Sequence, residues 1–308
     1  MHILHEGIVC DNPKVKVFGA IFNNIFYGGI EKSNGGIIFF DNLNKFIMNG
    51  INFRDLAEKS RTGLKIKRNE DRITQLNGEN NNFSQKKNIC NLFLLIHESY
   101  RNLYSSNTSP ILVISSHIFA LNRALKAQIF SQNRPELQLR IHKFEFLDKN
   151  HILNKYVVNY EILLEKVIEY TSSLTDICMT GICISEDWNG VLGAAYTGDK
   201  NGIGICNEHA AFAISSLLKN KLVPQFTHLI STMHEIGHLL GSQHDPDYNC
   251  KKKDYSMSRK KRCCRDKFQK YIMNPYSLDG EFRNNYLFSP QSVSSIKSLM
   301  NLPQRRYC

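Results

Sequence analysis

The stretch HEIGHLLGSQHD, from His234 to Asp245, carries the pattern H-E-x-x-H-x-x-G-x-x-H. On a helix, residues four apart share a face, so His234 and His238 can aim their imidazoles at one point. Gly241 can end the helix in a backbone conformation that costs other residues energy, and the turn that follows delivers His244 as a third imidazole. Three neutral imidazoles leave a fourth tetrahedral position open for water, the layout of a catalytic rather than a structural zinc. Glu235, beside the first of them, is placed to act on that water as a base. The plain alternative, an amphipathic helix with histidines on its surface, does not require Gly and a third His at fixed offsets.

Outward from this helix, the spacing predicts an α/β fold. Pro224 marks a helix start near Phe226, because proline pre-sets the first-turn dihedral. NLFLLIHES, from Asn91, reads as an apolar strand, and Ser115 to Ser131 has helical apolar spacing. Leu137 to Leu147 alternates like a half-buried strand. Asn159 to Thr171 predicts an amphipathic helix with Ile162, Leu163, Val167 and Ile168 on one side. ICMTGICIS (residues 177–185) reads as a buried strand, Gly190 to Gly198 as an edge segment, and Gln291 to Met300 as the last helix. Residues 15–48 hold short apolar stretches punctuated by Gly and Asn, the pattern of hairpins. Residues 54–88 are polar, charged and Asn-rich, and read as an exposed linker.

Several motifs then resemble one family. Asp245 directly follows the third histidine, Tyr271-Ile272-Met273 lies downstream, and GVLGAAYTG spans Gly190 to Gly198. YIMNPYSLDGEFRNNYLFS (Tyr271 to Ser289) and KNIC (Lys87 to Cys90) complete the set. Together they resemble the reprolysin (adamalysin) branch of the metzincins, and within it the ADAM metalloproteases of the Kuzbanian-like type. The resemblance implies a mixed, mostly parallel twisted sheet with helices around a zinc cleft, preceded by a small β-rich propeptide segment. The expected boundaries are a partial propeptide over 1–68, a linker over 69–86, and a catalytic domain over 87–308. Lys65-Ile66-Lys67-Arg68 then reads as a proprotein-convertase site. The resemblance further implies a chain that continues past Cys308 into a disintegrin module and a membrane anchor.

Residue by residue, the resemblance makes His234, His238 and His244 the ligands of Zn2+ and Glu235 the catalytic residue. Val191, Leu192, Gly193 and Ala194 match the strand that binds extended substrate. Asn274, Pro275 and Tyr276 match the wall of the pocket for the side chain after the cut. Gly241, Asp245 and Met273 are structural, Met273 as an apolar floor beneath the metal. Cys90 is expected to pair with Cys178, and Cys206 with Cys308. Pro290 stands where the family has a cysteine, so Cys263 or Cys264 is the expected substitute partner for Cys250. The segment between Cys206 and Pro224 is shorter than the family's and lacks its Gly-rich link. Tyr196 stands where relatives carry Trp.

Nine cysteines and the sequons at Asn82 and Asn107 read as secretory usage, so an extracellular or cell-surface location is expected. Cys183 lies in an apolar strand and is expected to be a buried free thiol. Cys10 has no latency motif around it. The first residues, MHILHEGIVCDNPK, interrupt any apolar stretch with charge, and no run approaches the ~18 apolar residues of a membrane span. Lys and Arg number 39 against 28 Asp and Glu, a formal charge of +11. Many of these cations fall in one run, Lys251 to Lys267, which reads first as a solvated insertion. Its sharper readings are attraction of acidic partners and processing at Arg259 to Arg262. No motif supports a nucleic-acid partner. The expected function is that of a zinc endopeptidase cutting extended, membrane-anchored protein substrates. The alternative is a catalytically silent binding protein that keeps the fold.

Overall fold

The computed structural model describes residues 88–104, 109–130, 137–206, 210–245, 270–276, 278 and 283–302, together with the backbone of six strands between residues 5 and 52. The chain divides into two compact units, Met1–Lys86 and Lys87–Cys308. In the first, β1 (His5–Val9), β2 (Asn12–Phe22), β3 (Ile25–Glu31) and β4 (Ile37–Phe40) form an antiparallel sheet in sequence order. The pair β5 (Ile47–Met48) and β6 (Ile51–Asn52) is a separate hairpin. The expected convertase site, both sequons, Cys10, Cys250 and the basic run lie outside the described residues.

The second unit is built on a five-stranded sheet in the order β10-β11-β9-β7-β8. Its strands are β7 (Asn88–His97), β8 (Leu137–Leu147), β9 (Met179–Ile184), β10 (Gly193–Ala195) and β11 (Ala211–Ser215). The pairs β7–β8, β7–β9 and β9–β11 are parallel, and β10 alone runs antiparallel, on β11. Parallel strands need crossovers, and the helices that supply them cover the sheet faces. That is why the inner strands are continuously apolar: Leu92, Leu94, Leu95 and Ile96 are fully buried, as are Ile182, Cys183 and Ile184.

After β7 come a short helix α1 (Glu98–Arg101) and the long α2 (Ser109–Gln128), then β8. Between β8 and β9 lies α3 (Tyr160–Thr171), whose first turn is closed by Asn159 Oδ1 accepting from the Glu161 and Ile162 amides. This cap satisfies amides that have no partner within the helix. Leu163, Leu164 and Val167 of α3 pack on Phe93, Leu95, Ile182, Ile184, Ala211 and Ala213. Each such side chain contributes up to about 1.5–3 kcal/mol of burial. Strand geometry turns Leu92, Leu94, Ile96 and Ile214 to the other face. On that side α2 packs against α4 (Gln225–Leu239), which also lies along β10 and β11. A hairpin of β12 (Leu217–Leu218) and β13 (Lys221–Leu222) joins β11 to α4, and α5 (Pro290–Met300) closes the unit.

Cys90 and Cys178 form a disulfide with Cα atoms 5.4 Å apart at a sequence separation of 88. Closing a loop of that length stabilises by about 4–5 kcal/mol in the chain-entropy account. Cys206 is also disulfide-bonded, and its expected partner Cys308 lies outside the described residues. Cys183 is a buried free thiol. Three expectations need correction. The helix expected from Ser115 starts at Ser109, where a Ser-Pro pair opens it. Ile162 is 41% exposed and Leu164 takes its place in the core. The strand expected to run through Ser99 ends at His97, where its side chain caps α1 by accepting from the Ser99 amide.

Candidate active site

Helix α4 starts directly after Pro224, which has no N–H to leave unsatisfied. Leu229, Met233, Ile236 and Leu239 are buried along it. Its other end shows why the sequence needs Gly241. The Ser242 amide donates to Gly237 O (3.0 Å) and the Gly241 amide to His238 O (2.8 Å), while Gly241 sits at φ +90°. This pair of bonds is a Schellman closure, which requires a left-handed residue at that position. The chain then reverses toward the helix, bringing His244 back beside His234 and His238.

The three imidazoles converge through one kind of atom. Nε2 of His234 lies 3.1 Å from Nε2 of His238 and 3.1 Å from that of His244, and the last two are 3.2 Å apart. The His234–His238 contact is not a hydrogen bond, because both of these rings have their protons committed elsewhere. His234 Nδ1 donates to Ile272 O and His238 Nδ1 to Ser242 O, each at 2.8 Å. Burial lowers the His234 pKa to about 3 and that of His238 to about 4, and lowers His244 too. All three rings are therefore neutral at pH 7, and the Nε2 lone pairs of His234 and His238 face each other with no proton to share. A cation resolves that repulsion. Ligand nitrogens around tetrahedral Zn2+ stand about 3.3–3.4 Å apart for bonds of about 2.0–2.1 Å, so the donor set and its spacing fit a zinc ion.

Glu235 follows His234 on the helix and is buried, which pushes its carboxyl up to about 8. A divalent cation nearby acts in the opposite sense. The carboxyl lies against Gly193 of β10, where an added Cβ would stand 2.6 Å from Oε1. Strand β10 is the outer strand of the sheet, pairing Gly193 with Ile214 and Ala194 with Ala213 of β11. Leu192 is buried and its carbonyl accepts from the Ser215 amide, and Val191 bridges Trp188. Gly193, Ala194 and Ala195 are all partly exposed.

The segment from Lys270 forms the underside of the site. Met273 is fully buried, with its sulfur against Gly237, where an added Cβ would stand 2.5 Å from that sulfur and 3.0 Å from a Phe288 ring carbon. The Asp245 amide donates to Met273 O at 2.8 Å. The buried Asp245 carboxylate accepts from the Ser289 and Ser292 hydroxyls at the start of α5. Asn274 donates from Nδ2 to Tyr276 O at 2.7 Å, holding a turn on which Tyr276 is exposed. Leu278, which is buried, accepts from Thr227 Oγ1 at 3.2 Å. Sequence reasoning missed the carbonyls of Ile272 and Ser242, which no side-chain pattern encodes. It also missed Ser289 and Ser292, although Ser-Pro-x-Ser at a helix start is a legible capping signal.

Residues 86–289 match the family described as Metallo-peptidase family M12, in its reprolysin group. Among curated proteins, the chain is 26% identical over 235 residues to Disintegrin and metalloproteinase domain-containing protein 10 of Homo sapiens. It is 26% identical over 233 residues to the protein of the same name from Bos taurus. These alignments cover 70% of this chain and 31% and 30% of those proteins, so the chain spans about a third of the length of the relatives it matches. Among solved structures, metalloproteinase-II from Bacteroides fragilis aligns with a TM-score of 0.46 at 14% identity, over 96% of this chain and 84% of that one. The resemblance to the ADAM metalloproteases is borne out. With two thirds of its length matched to that family, the chain belongs to the reprolysin metallopeptidases of family M12.

Proposed function

We propose that this chain is a zinc-dependent endopeptidase that hydrolyses peptide bonds in extended protein substrates. The observation that carries the reading is the convergence of three neutral imidazoles beside a buried carboxyl, under the outer strand of the sheet. His234, His238 and His244 would hold Zn2+, which supplies Lewis acidity: it polarises a peptide carbonyl and lowers the pKa of water to about 7. Glu235 takes the proton of the attacking water and returns it to the leaving amine. Burial favours the protonated carboxyl, which suits a group that must hold that proton between the two steps. Val191, Leu192, Gly193 and Ala194 bind the substrate by strand addition on the outer edge of β10, through backbone hydrogen bonds. Asn274, Pro275 and Tyr276 wall the pocket for the side chain after the cut.

The finer reading is ectodomain shedding, in which the substrate is a membrane-anchored protein cut near the surface. The Cys90–Cys178 disulfide supports an oxidising compartment, and with it a secretory route to the cell surface or beyond. Among the described residues no helix is long and apolar enough to cross a membrane. The test is incubation of the folded chain with a quenched peptide library, beside a Glu235→Ala variant and a chelated sample. Cleavage is expected from the parent alone, with kcat lowered about 10²–10⁴-fold in the variant. A zinc-loaded, folded parent that cuts nothing would instead favour a silent binding protein.

A further inference from the structure

The Glu235 side chain has several rotatable bonds, and among the described residues none donates a hydrogen bond to its buried carboxyl. Within the described residues, packing rather than hydrogen bonding sets where it points. A Cβ added at Gly193 would stand 2.6 Å from Glu235 Oε1, 2.7 Å from its Cγ and 2.9 Å from its Cδ. Three atoms of the acid thus fill the space that any other residue at 193 would occupy. Gly193 is not free to move away, since it is paired in register with Ile214, and the preceding Leu192 carbonyl is tied to the Ser215 amide at 2.8 Å. The Glu235 backbone cannot retreat either, because it belongs to a buried helix whose flanking His234 is tied to Ile272 O, so the carboxyl itself would have to turn away.

We infer that Gly193 is a positioning residue, whose missing side chain forms the seat of the Glu235 carboxyl. This rests on the proposed role of Glu235 and adds a reason why β10 must carry glycine at this register. The same residue lies on the outer strand, so the acid and a peptide added to that edge are referenced to one backbone position. A displacement of about 1 Å in such a group costs on the order of 10²-fold in rate.

The experiment is a double-mutant cycle with Gly193→Ala, Glu235→Asp and both together, read by kinetics, thermal midpoint and crystal structure. Gly193→Ala is expected to lower kcat about 10–100-fold with KM changed less than about threefold. Its crystal structure should show the Glu235 carboxyl moved while the β10–β11 register and the three imidazoles stay in place. Glu235→Asp shortens the acid, so adding Gly193→Ala to it should cost little further in kcat, and any loss in thermal midpoint from Gly193→Ala should be recovered in the pair. The inference is overturned if Gly193→Ala raises KM and leaves kcat alone, if the two effects multiply, or if the carboxyl does not move. The crystal structure and thermal midpoints do not depend on turnover. A parent without activity but with a displaced carboxyl in Gly193→Ala would sink the peptidase reading and leave the seat standing. Should Gly193→Ala fail to fold alone, recovery of the fold on adding Glu235→Asp supports the seat, and a pair that also fails to fold overturns it.

Discussion

Asp245 does its work through atoms far apart in sequence. Its amide holds Met273 O, and one carboxylate oxygen receives both serines at the start of α5. Among the described residues the second oxygen is buried without a partner, which takes back part of the gain. Hydrogen bonds to a charged group are worth about 1.5–3 kcal/mol each. Replacing Asp245 by Ala should therefore destabilise by about 2–3 kcal/mol, a fall of roughly 4–12 °C for a domain of this size. A calorimetric scan of the metal-free protein checks it, and an unchanged midpoint would remove the serine–carboxylate contact as a stabilising feature. The presence of Asp245 was legible in the sequence because it abuts the third histidine. Its partners were not, because Ser289 lies 44 residues away and no local rule reaches that distance. Gly193 has the same character: as a residue it reads as backbone for substrate, and only the folded sheet brings Glu235 over it.

At the scale of elements, α2 and α4 meet at a buried pair of histidines. The His117 and His228 rings are 5.2 Å apart, and His228 stacks on Tyr100 of α1 at 5.3 Å. His117 Nδ1 donates to Thr232 Oγ1 at 3.0 Å, since that hydroxyl gives its own proton to His228 O. His228 Nε2 has no partner among the described residues. Burial lowers both pKa values, that of His228 to about 4 from 6.5. The unfolded chain then binds the proton first, so stability is complete above about pH 6.5 and is lost as pH falls toward 4. His228 alone accounts for about 3 kcal/mol across that window. Denaturant melts at pH 7 and pH 4.5 should show His228→Phe losing less stability than the parent. An equal loss in both would acquit this seam. Elements were mostly legible because their apolar spacing is local. The exceptions have other causes: α2 opens at Ser109 with Pro110 in its first turn, where proline's fixed dihedral suits a helix start that apolar spacing overlooks. In α3 the buried stripe falls on Leu163, Leu164 and Val167, one step around from the side expected, because packing on β9 and β11 sets the rotation.

For the molecule as a whole, the proposed metal site is a product of three separate devices. A buried helix carries two imidazoles, a left-handed glycine turns the chain to bring the third, and the loop through Met273 supplies a carbonyl that fixes a tautomer. The first two are encoded within twelve consecutive residues, His234 to Asp245, so the site was readable before the fold. The sheet that roofs it depends on a parallel register between β7, β9 and β11, and periodicity alone does not set that order. The central claim is that these three histidines hold one zinc ion. Competition with a chromophoric chelator measures it directly, on the parent and on His238→Ala, with thermal midpoints taken with and without zinc. One Zn2+ per chain is predicted, with a raised midpoint on loading and an affinity at least about 10²-fold weaker when His238 is gone. A parent that binds no zinc, or a variant that binds it equally well, would contradict the account.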